Sequence, residues 1–261
     1  MSGLVTEGVL TLCCADMDAR PLFWTTSSGG RDGLEPSAAR LAAEHAGLGL
    51  AWEFRRWDRF RSALEVGEVD AIWCGSAITE ERRTVFDYSR PYAAFDEAVL
   101  VLSGSPIRSL DDLRGARVGA IVASTNMRLA ETFGAAELVA FDGSSDDVFA
   151  EMIDAVRSGL IDAFVDDEPA FGGAVAGGEF RIAHIAETQN PWGAACRKGD
   201  GLVRGLIDDG IGAAIADGSL AAEWRRWMGT KPVPAAILST YPSGSGLRRT
   251  GASWAARATR C

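Results

Sequence analysis

Three short stretches of the chain carry the residue types needed to hold a small charged molecule. The first is Gly75-Ser76-Ala77-Ile78-Thr79-Glu80-Glu81-Arg82-Arg83, which offers free backbone groups at Gly75, Ser76 and Ala77 and then an arginine on a short helical turn. Arginine's planar fork grips a carboxylate through two parallel hydrogen bonds. The second is Ala123-Ser124-Thr125-Asn126, where hydroxyls and unpaired N–H groups at a helix start form a site for an anion. The third is Asp166-Asp167, two adjacent carboxylates at a strand end that can receive an ammonium group. Trp57 could stack on a ligand. Each feature also has a plainer reading. Arg82 and Arg83 can be solvated partners of Glu80 and Glu81, Ser124 or Thr125 a helix cap, and Trp57 a core residue. The Asp pair can cap the helix that Pro169 opens. Taken together, the stretches supply donors for a carboxylate and acceptors for an amine, the minimum for holding an α-amino acid.

These residues need rigid elements behind them. Apolar runs bounded by turn residues alternate with helical patterns along most of the chain. Strands are predicted at 10–15, 50–54, 69–73, 98–102, 117–122, 138–141, 161–165, 181–185 and 193–197. Helices are predicted at 36–45, 57–66, 124–133, from a Ser144 or Ser145 cap to 158, 202–216 and 220–228. Strands alternating with helices of this length imply an α/β fold with mostly parallel sheets flanked by helices. The pattern restarts near Arg117, so two similar lobes are expected. In open sheets of this kind, ligands sit beyond the carboxyl ends of the strands. The three stretches above all follow predicted strands.

Composition narrows the classes. The chain has 261 residues, 47% of them hydrophobic and 24% charged, which excludes a disordered, fibrous or membrane-embedded protein. A net charge of −10 argues against a nucleic-acid partner. No window is long and apolar enough to span a membrane. The first residues show no basic, apolar leader, so the sequence as it stands reads as cytoplasmic, or as extracytoplasmic if a leader is removed. Five cysteines (Cys13, Cys14, Cys74, Cys196, Cys261) match no zinc spacing and read as small buried thiols; a vicinal Cys13–Cys14 redox pair is the alternative. His45 and His184 lie on different predicted elements, and neither a metal site nor a cofactor is expected. Residues 241–261 contain Arg248, Arg249, Arg257 and Arg260 and no acid, and are expected to be a disordered basic tail.

The order and spacing of several motifs carry a resemblance. They are Leu64-Glu65-Val66-Gly67-Glu68-Val69-Asp70-Ala71-Ile72, Ile78-Thr79-Glu80-Glu81-Arg82, Val85-Phe86-Asp87-Tyr88-Ser89-Arg90-Pro91-Tyr92, Ser105-Pro106 through Leu113-Arg114-Gly115, and Val156-Arg157-Ser158-Gly159. Over about residues 8–229 the chain resembles the family-3 solute-binding proteins of ABC transporters, which bind polar amino acids in a two-lobe, type II periplasmic-binding fold with the ligand cleft between the lobes. The resemblance implies a discontinuous first lobe of residues 1–103 plus 198–240, a second lobe of 104–197, and hinge crossings near Leu102 and Cys196. It implies that Arg82 holds the ligand α-carboxylate with Ser124 and Thr125, and that Asp167 and the Gly75 carbonyl meet the α-ammonium. Asp16, Trp57 and Asp166 would line the side-chain pocket, and the two acids point to a cationic or polar side chain. It further implies a monomer with an amino-acid-like ligand and a permease partner. Three positions depart from the pattern: Ala77 replaces a usual Thr, Ala123 a usual Gly, and Ala19 an aromatic wall that Phe23 and Trp24 stand near. Some relatives, the cyclohexadienyl dehydratases, are enzymes; Glu168 is the candidate general acid for that alternative. A ligand sensor acting through a separate partner is the third reading.

Overall fold

A computed structural model describes residues 3–238. The expected basic tail lies outside the described residues. The first half of the chain forms β1 (Val9–Cys14), a small hairpin of β2 (Trp24–Thr25) and β3 (Arg31–Asp32), α1 (Leu34–His45), β4 (Gly49–Phe54), α2 (Phe60–Glu65), β5 (Ala71–Ile72), α3 (Arg82–Val85) and β6 (Phe86–Tyr88). Then follow β7 (Ala93–Leu102), β8 (Arg117–Ile121), α4 (Thr125–Glu131), β9 (Glu137–Phe141), α5 (Val148–Arg157), β10 (Ala163–Asp167), α6 (Gly172–Ala176) and β11 (Phe180–Trp192). The chain closes with β12 (Ala195–Arg197), α7 (Gly201–Ala216) and α8 (Ser219–Met228).

The strands assemble into two 5-stranded sheets, ordered β4-β1-β5-β12-β6 and β11-β7-β10-β8-β9. In the first, β1 pairs parallel with β4 and β5; in the second, β8 pairs parallel with β9 and β10. The remaining pairs are antiparallel. This is the two-lobe α/β architecture expected from the alternation, with a mixed rather than mostly parallel sheet in each lobe.

The pairing moves the lobe boundaries. Residues 93–102 join the second sheet, not the first, so the chain crosses between Tyr88 and Ala93 and returns between Trp192 and Ala195. The two crossings run side by side: Tyr92 N–H donates to the Trp192 carbonyl (2.9 Å) and Ser89 N–H to that of Ala194 (3.0 Å). An apolar strand reads alike for either sheet, and only its partners assign it.

Local sequence explains most elements. The Ser124 hydroxyl accepts from Met127 N–H (3.0 Å) and caps α4 as expected. The cap of α5 is Asp147, which accepts from Ala150 N–H at 2.9 Å, in place of Ser144 or Ser145. A carboxylate three residues before a free N–H serves as well as a hydroxyl, so the spacing alone did not choose between them. Helix α1 is rich in alanine, and α7 packs on it so closely that a Cβ at Gly210 would lie 2.0 Å from the Ala42 carbonyl oxygen. The buried Asp70 carboxylate accepts from Val5 N–H (2.8 Å) and Thr11 N–H (2.7 Å), fixing the start of the first sheet. Cys13, Cys14, Cys74 and Cys196 are free and buried, and burial pushes the Cys13 and Cys14 thiols up to about 12.

Candidate functional site

The lobes meet around a cavity of about 60 Å³, and several contacts span it. Arg82 Nη2 lies 3.5 Å from the Ala123 carbonyl oxygen, Asp58 N–H donates to the Gly143 carbonyl (3.3 Å), and Glu81 pairs with Arg128. A Cβ at Gly143 would lie 2.8 Å from that of Trp57. On a second side, Lys231 Nζ meets Glu168 Oε2 at 2.5 Å. The lobes are thus drawn together.

The first lobe contributes Arg82. Its backbone N–H is held by the Thr79 hydroxyl (3.1 Å), and Nη1 reaches the Ala77 carbonyl (3.3 Å), which turns the guanidinium into the cavity. Gly75 also lines the cavity, in the left-handed region (φ 58°), with no room to spare: a Cβ would come 3.3 Å from the Trp192 ring. Its N–H donates to Glu35 Oε1 (2.8 Å), and that oxygen also accepts from the Tyr92 hydroxyl (3.1 Å) in the crossing. Glu35 is buried, and burial pushes its carboxyl up to about 7 despite these bonds. The Gly75 loop and one crossing therefore share a single buried carboxyl.

The second lobe contributes the N-terminus of α4 and the end of β10. Ser124, Thr125 and Asn126 line the cavity there. Asp166 Oδ1 accepts from Asn126 Nδ2 (3.1 Å) and Asp167 N–H (2.7 Å). Both aspartates line the cavity, and burial raises them; Asp166 reaches about 7, while Asp167 is raised further by the Asp166 and Glu97 charges and lowered by Arg82. Ala123 adopts φ 57°, a conformation that suits glycine, and its carbonyl is the one Arg82 approaches.

Of the residues singled out from sequence, Trp57, Gly75, Arg82, Ser124, Thr125, Asp166 and Asp167 meet around this one cavity. Asp16, Ser76 and Ala77 do not line it. Asp16 is exposed, bonded to the Thr25 hydroxyl and 3.9 Å from Arg31, which offsets its charge. The Ser76 hydroxyl pairs with that of Tyr88 (3.1 Å), and Ala77 contributes its carbonyl to Arg82. Glu168, the candidate acid, pairs with Lys231 outside the cavity lining. Glu168 opens the helical turn that follows β10 and turns to Lys231, so a place beside Asp167 does not bring it into the cleft.

Sequence reasoning missed Trp192 and Phe149 and gave Asn126 no role of its own within its helix-start stretch, yet all three line the cavity. It also missed Glu97, which sits behind it. The signal for Glu97 was present: an Asp96-Glu97 pair interrupts an otherwise apolar run from Ala93 to Leu102. No grouping of three or more His, Cys, Asp or Glu suited to a metal occurs among the described residues.

Residues 12–230 match the profile of the bacterial extracellular solute-binding proteins, family 3. The chain belongs to this family. It is similar to the glutamine-binding protein GlnH of an ABC transporter in Bacillus subtilis strain 168, at 28% identity over 65% of this chain and 61% of that protein. It is also similar to the L-cystine-binding protein TcyJ of Escherichia coli strain K12, at 27% identity over 80% of this chain and 79% of the relative. So the chain spans less than two thirds of GlnH and over three quarters of TcyJ. Among solved structures, an ancestral arginine-binding protein bound to glutamine superposes with a TM-score of 0.77 at 26% identity, covering 86% of this chain and 99% of that one.

Proposed function

We propose that this protein is a solute-binding protein that closes on an α-amino acid, or a close relative of one, and delivers it to an ABC-type importer outside the cytoplasm. The observation that carries the reading is the convergence of opposite receptors on one cavity: the Arg82 guanidinium from one lobe, and the α4 N-terminus with Asp166 and Asp167 from the other. The ligand carboxylate bridges Arg82 and the Ser124/Thr125 end, while its ammonium lies against Asp167. The second lobe touches both ends, and Arg82 adds the carboxylate's remaining partner only when the lobes meet, so a ligand with both charges binds the closed arrangement better than the open one. That difference in affinity is what shifts the hinge. The family's amino-acid binders, the glutamine- and cystine-binding relatives among them, support the same ligand class.

A thermal-shift screen against the amino acids tests this. A ligand at 100 times its dissociation constant stabilises by about 2.7 kcal/mol, a rise of roughly 5–10 °C at this size. A hit that persists unconverted and vanishes in Arg82→Ala is expected. No stabilisation by any amino acid would overturn the reading, and a hit that is consumed would replace it with an enzyme.

A further inference from the structure

Glu97 stands directly opposite Asp167 in the antiparallel pairing of β7 with β10. Residues so paired point to the same face, and like charges there repel. Asp166, one residue earlier, also feels the Glu97 charge. Glu97 is only 2% exposed. The side chains of Thr125, Thr188 and Asn190 lie around the Glu97 carboxyl, while the buried Nε1 of the cavity-lining Trp192 has no partner among the described residues. A buried polar atom without a partner is costly and calls for an occupant.

The setting is built rather than accidental. The register of β11 against β7 slips between Ala186 and Asn190, with Gln189 at φ 47°. That bulge brings Thr188 to Glu97, whose N–H donates to the Thr188 hydroxyl at 3.1 Å. Thr188, Asn190 and the cleft residue Thr125 are the polar neighbours that moderate the rise that burial imposes on the Glu97 carboxyl.

We propose that Glu97 is a charge-selecting residue of the cleft, placed behind Asp167 and Thr125 so that the ammonium end carries more negative charge than a zwitterion neutralises. This rests on the amino-acid-binding reading and specifies its ligand as an amino acid of net positive charge. The count of charges supports it. A zwitterion sets one carboxylate against Arg82 and one ammonium against three carboxyls, Asp166, Asp167 and Glu97. The other charged groups facing this cluster are Arg128 on α4, already paired with Glu81, and Arg82 and Glu35 from the first lobe. Burial raises all three carboxyls, and the Glu97 charge raises both aspartates further. A cationic side chain takes the place of a proton, which passes from carboxyl to buffer.

The test uses L-arginine and its neutral near-isostere L-citrulline, titrated calorimetrically near pH 6.5 in two buffers of different ionisation enthalpy. The unmodified protein is expected to bind arginine more tightly and to release more protons with it. Glu97→Gln should weaken arginine about tenfold, by loss of a nearby buried charge, leave citrulline within about threefold, and reduce the proton release; Glu97→Asp should keep the preference. Equal weakening of both ligands by Glu97→Gln would reduce Glu97 to a packing role and overturn the proposal, as would no effect on either. If Glu97→Gln does not fold, the unmodified protein decides: equal proton release with both ligands, or preference for a neutral or acidic amino acid, overturns charge selection. Binding of no amino acid at all would instead overturn the functional reading, and Glu97's role with it.

Discussion

The two walls of the cleft are built in opposite ways. The first lobe lines the cavity with a long side chain: Arg82 sits on the four-residue α3, and its guanidinium contacts carbonyls at 3.3 and 3.5 Å. The second lobe lines the cavity with short carboxyls at the end of β10, a strand paired with β8 at its start and with β7 through Asp166 and Asp167. The anion receptor is an arm that reaches across; the cation receptor is part of the framework and cannot move away from its own repulsion. In the proposed binding mode, the second wall's crowded carboxyls are relieved by the ligand ammonium, and the first wall closes over the other end.

Breaking the arm should have the largest effect. Arg82→Ala removes the only guanidinium lining the cavity among the described residues and leaves the ligand carboxylate facing carbonyls; affinity should fall at least about 30-fold, since truncating one partner of a buried charge pair costs about 2–5 kcal/mol. Isothermal titration reads this directly, with the melting temperature of the ligand-free protein nearly unchanged. The framework should respond differently. Asp167→Asn is expected to weaken binding by about 10-fold or more while raising the melting temperature of the ligand-free protein, because it removes one of the crowded charges. A fall in both would mean that Asp167 is held by partners rather than strained by neighbours.

The pH dependence sharpens the same contrast. Glu35 and Asp166 both titrate near about 7 in the folded protein, above their ordinary values of 4.5 and 3.8, because burial favours the neutral form. The folded state then binds protons more tightly than the unfolded one, so their contribution is full at low pH and is lost as pH rises through 7. Carboxyls with lowered values, Asp87 and Asp162 among them, have completed their contribution below that window. Melting of the ligand-free protein between about pH 5 and 8 should show a declining midpoint, by about 2–4 °C for each kcal/mol lost. A cationic ligand should offset more of the decline as pH rises.

The smallest effect lies where the arm touches the other wall. Ala123→Gly relieves an L-residue in the left-handed region and should stabilise by about 1 kcal/mol, a rise of roughly 2–4 °C, with binding changed little. No gain in a melting curve would mean that the loop pays nothing for its alanine.

Much of this was legible in sequence, for local reasons. Apolar runs and their spacing located the longer strands and helices but not the short β2, β3, β6 and α6, since period and burial are written residue by residue only where an element is long enough to show them. The arginine on its short turn, the hydroxyls at a helix start and the acid pair at a strand end were each recognisable from their own neighbours. What could not be read was how separate segments face one another. Residues 93–102 belong to the second sheet because of the strands they pair with, and an apolar run carries no record of its partners. Asp16 and Ser76 turn to Thr25 and Tyr88, contacts set by other elements. Glu97 was visible as an acid in an apolar strand, but its meaning depends on the register that sets it against Asp167. The sequence by itself determined the elements and the chemistry at their ends. Only the tertiary structure decided which ends share a cleft, because side-chain direction follows strand pairing, and pairing is a property of two distant segments together.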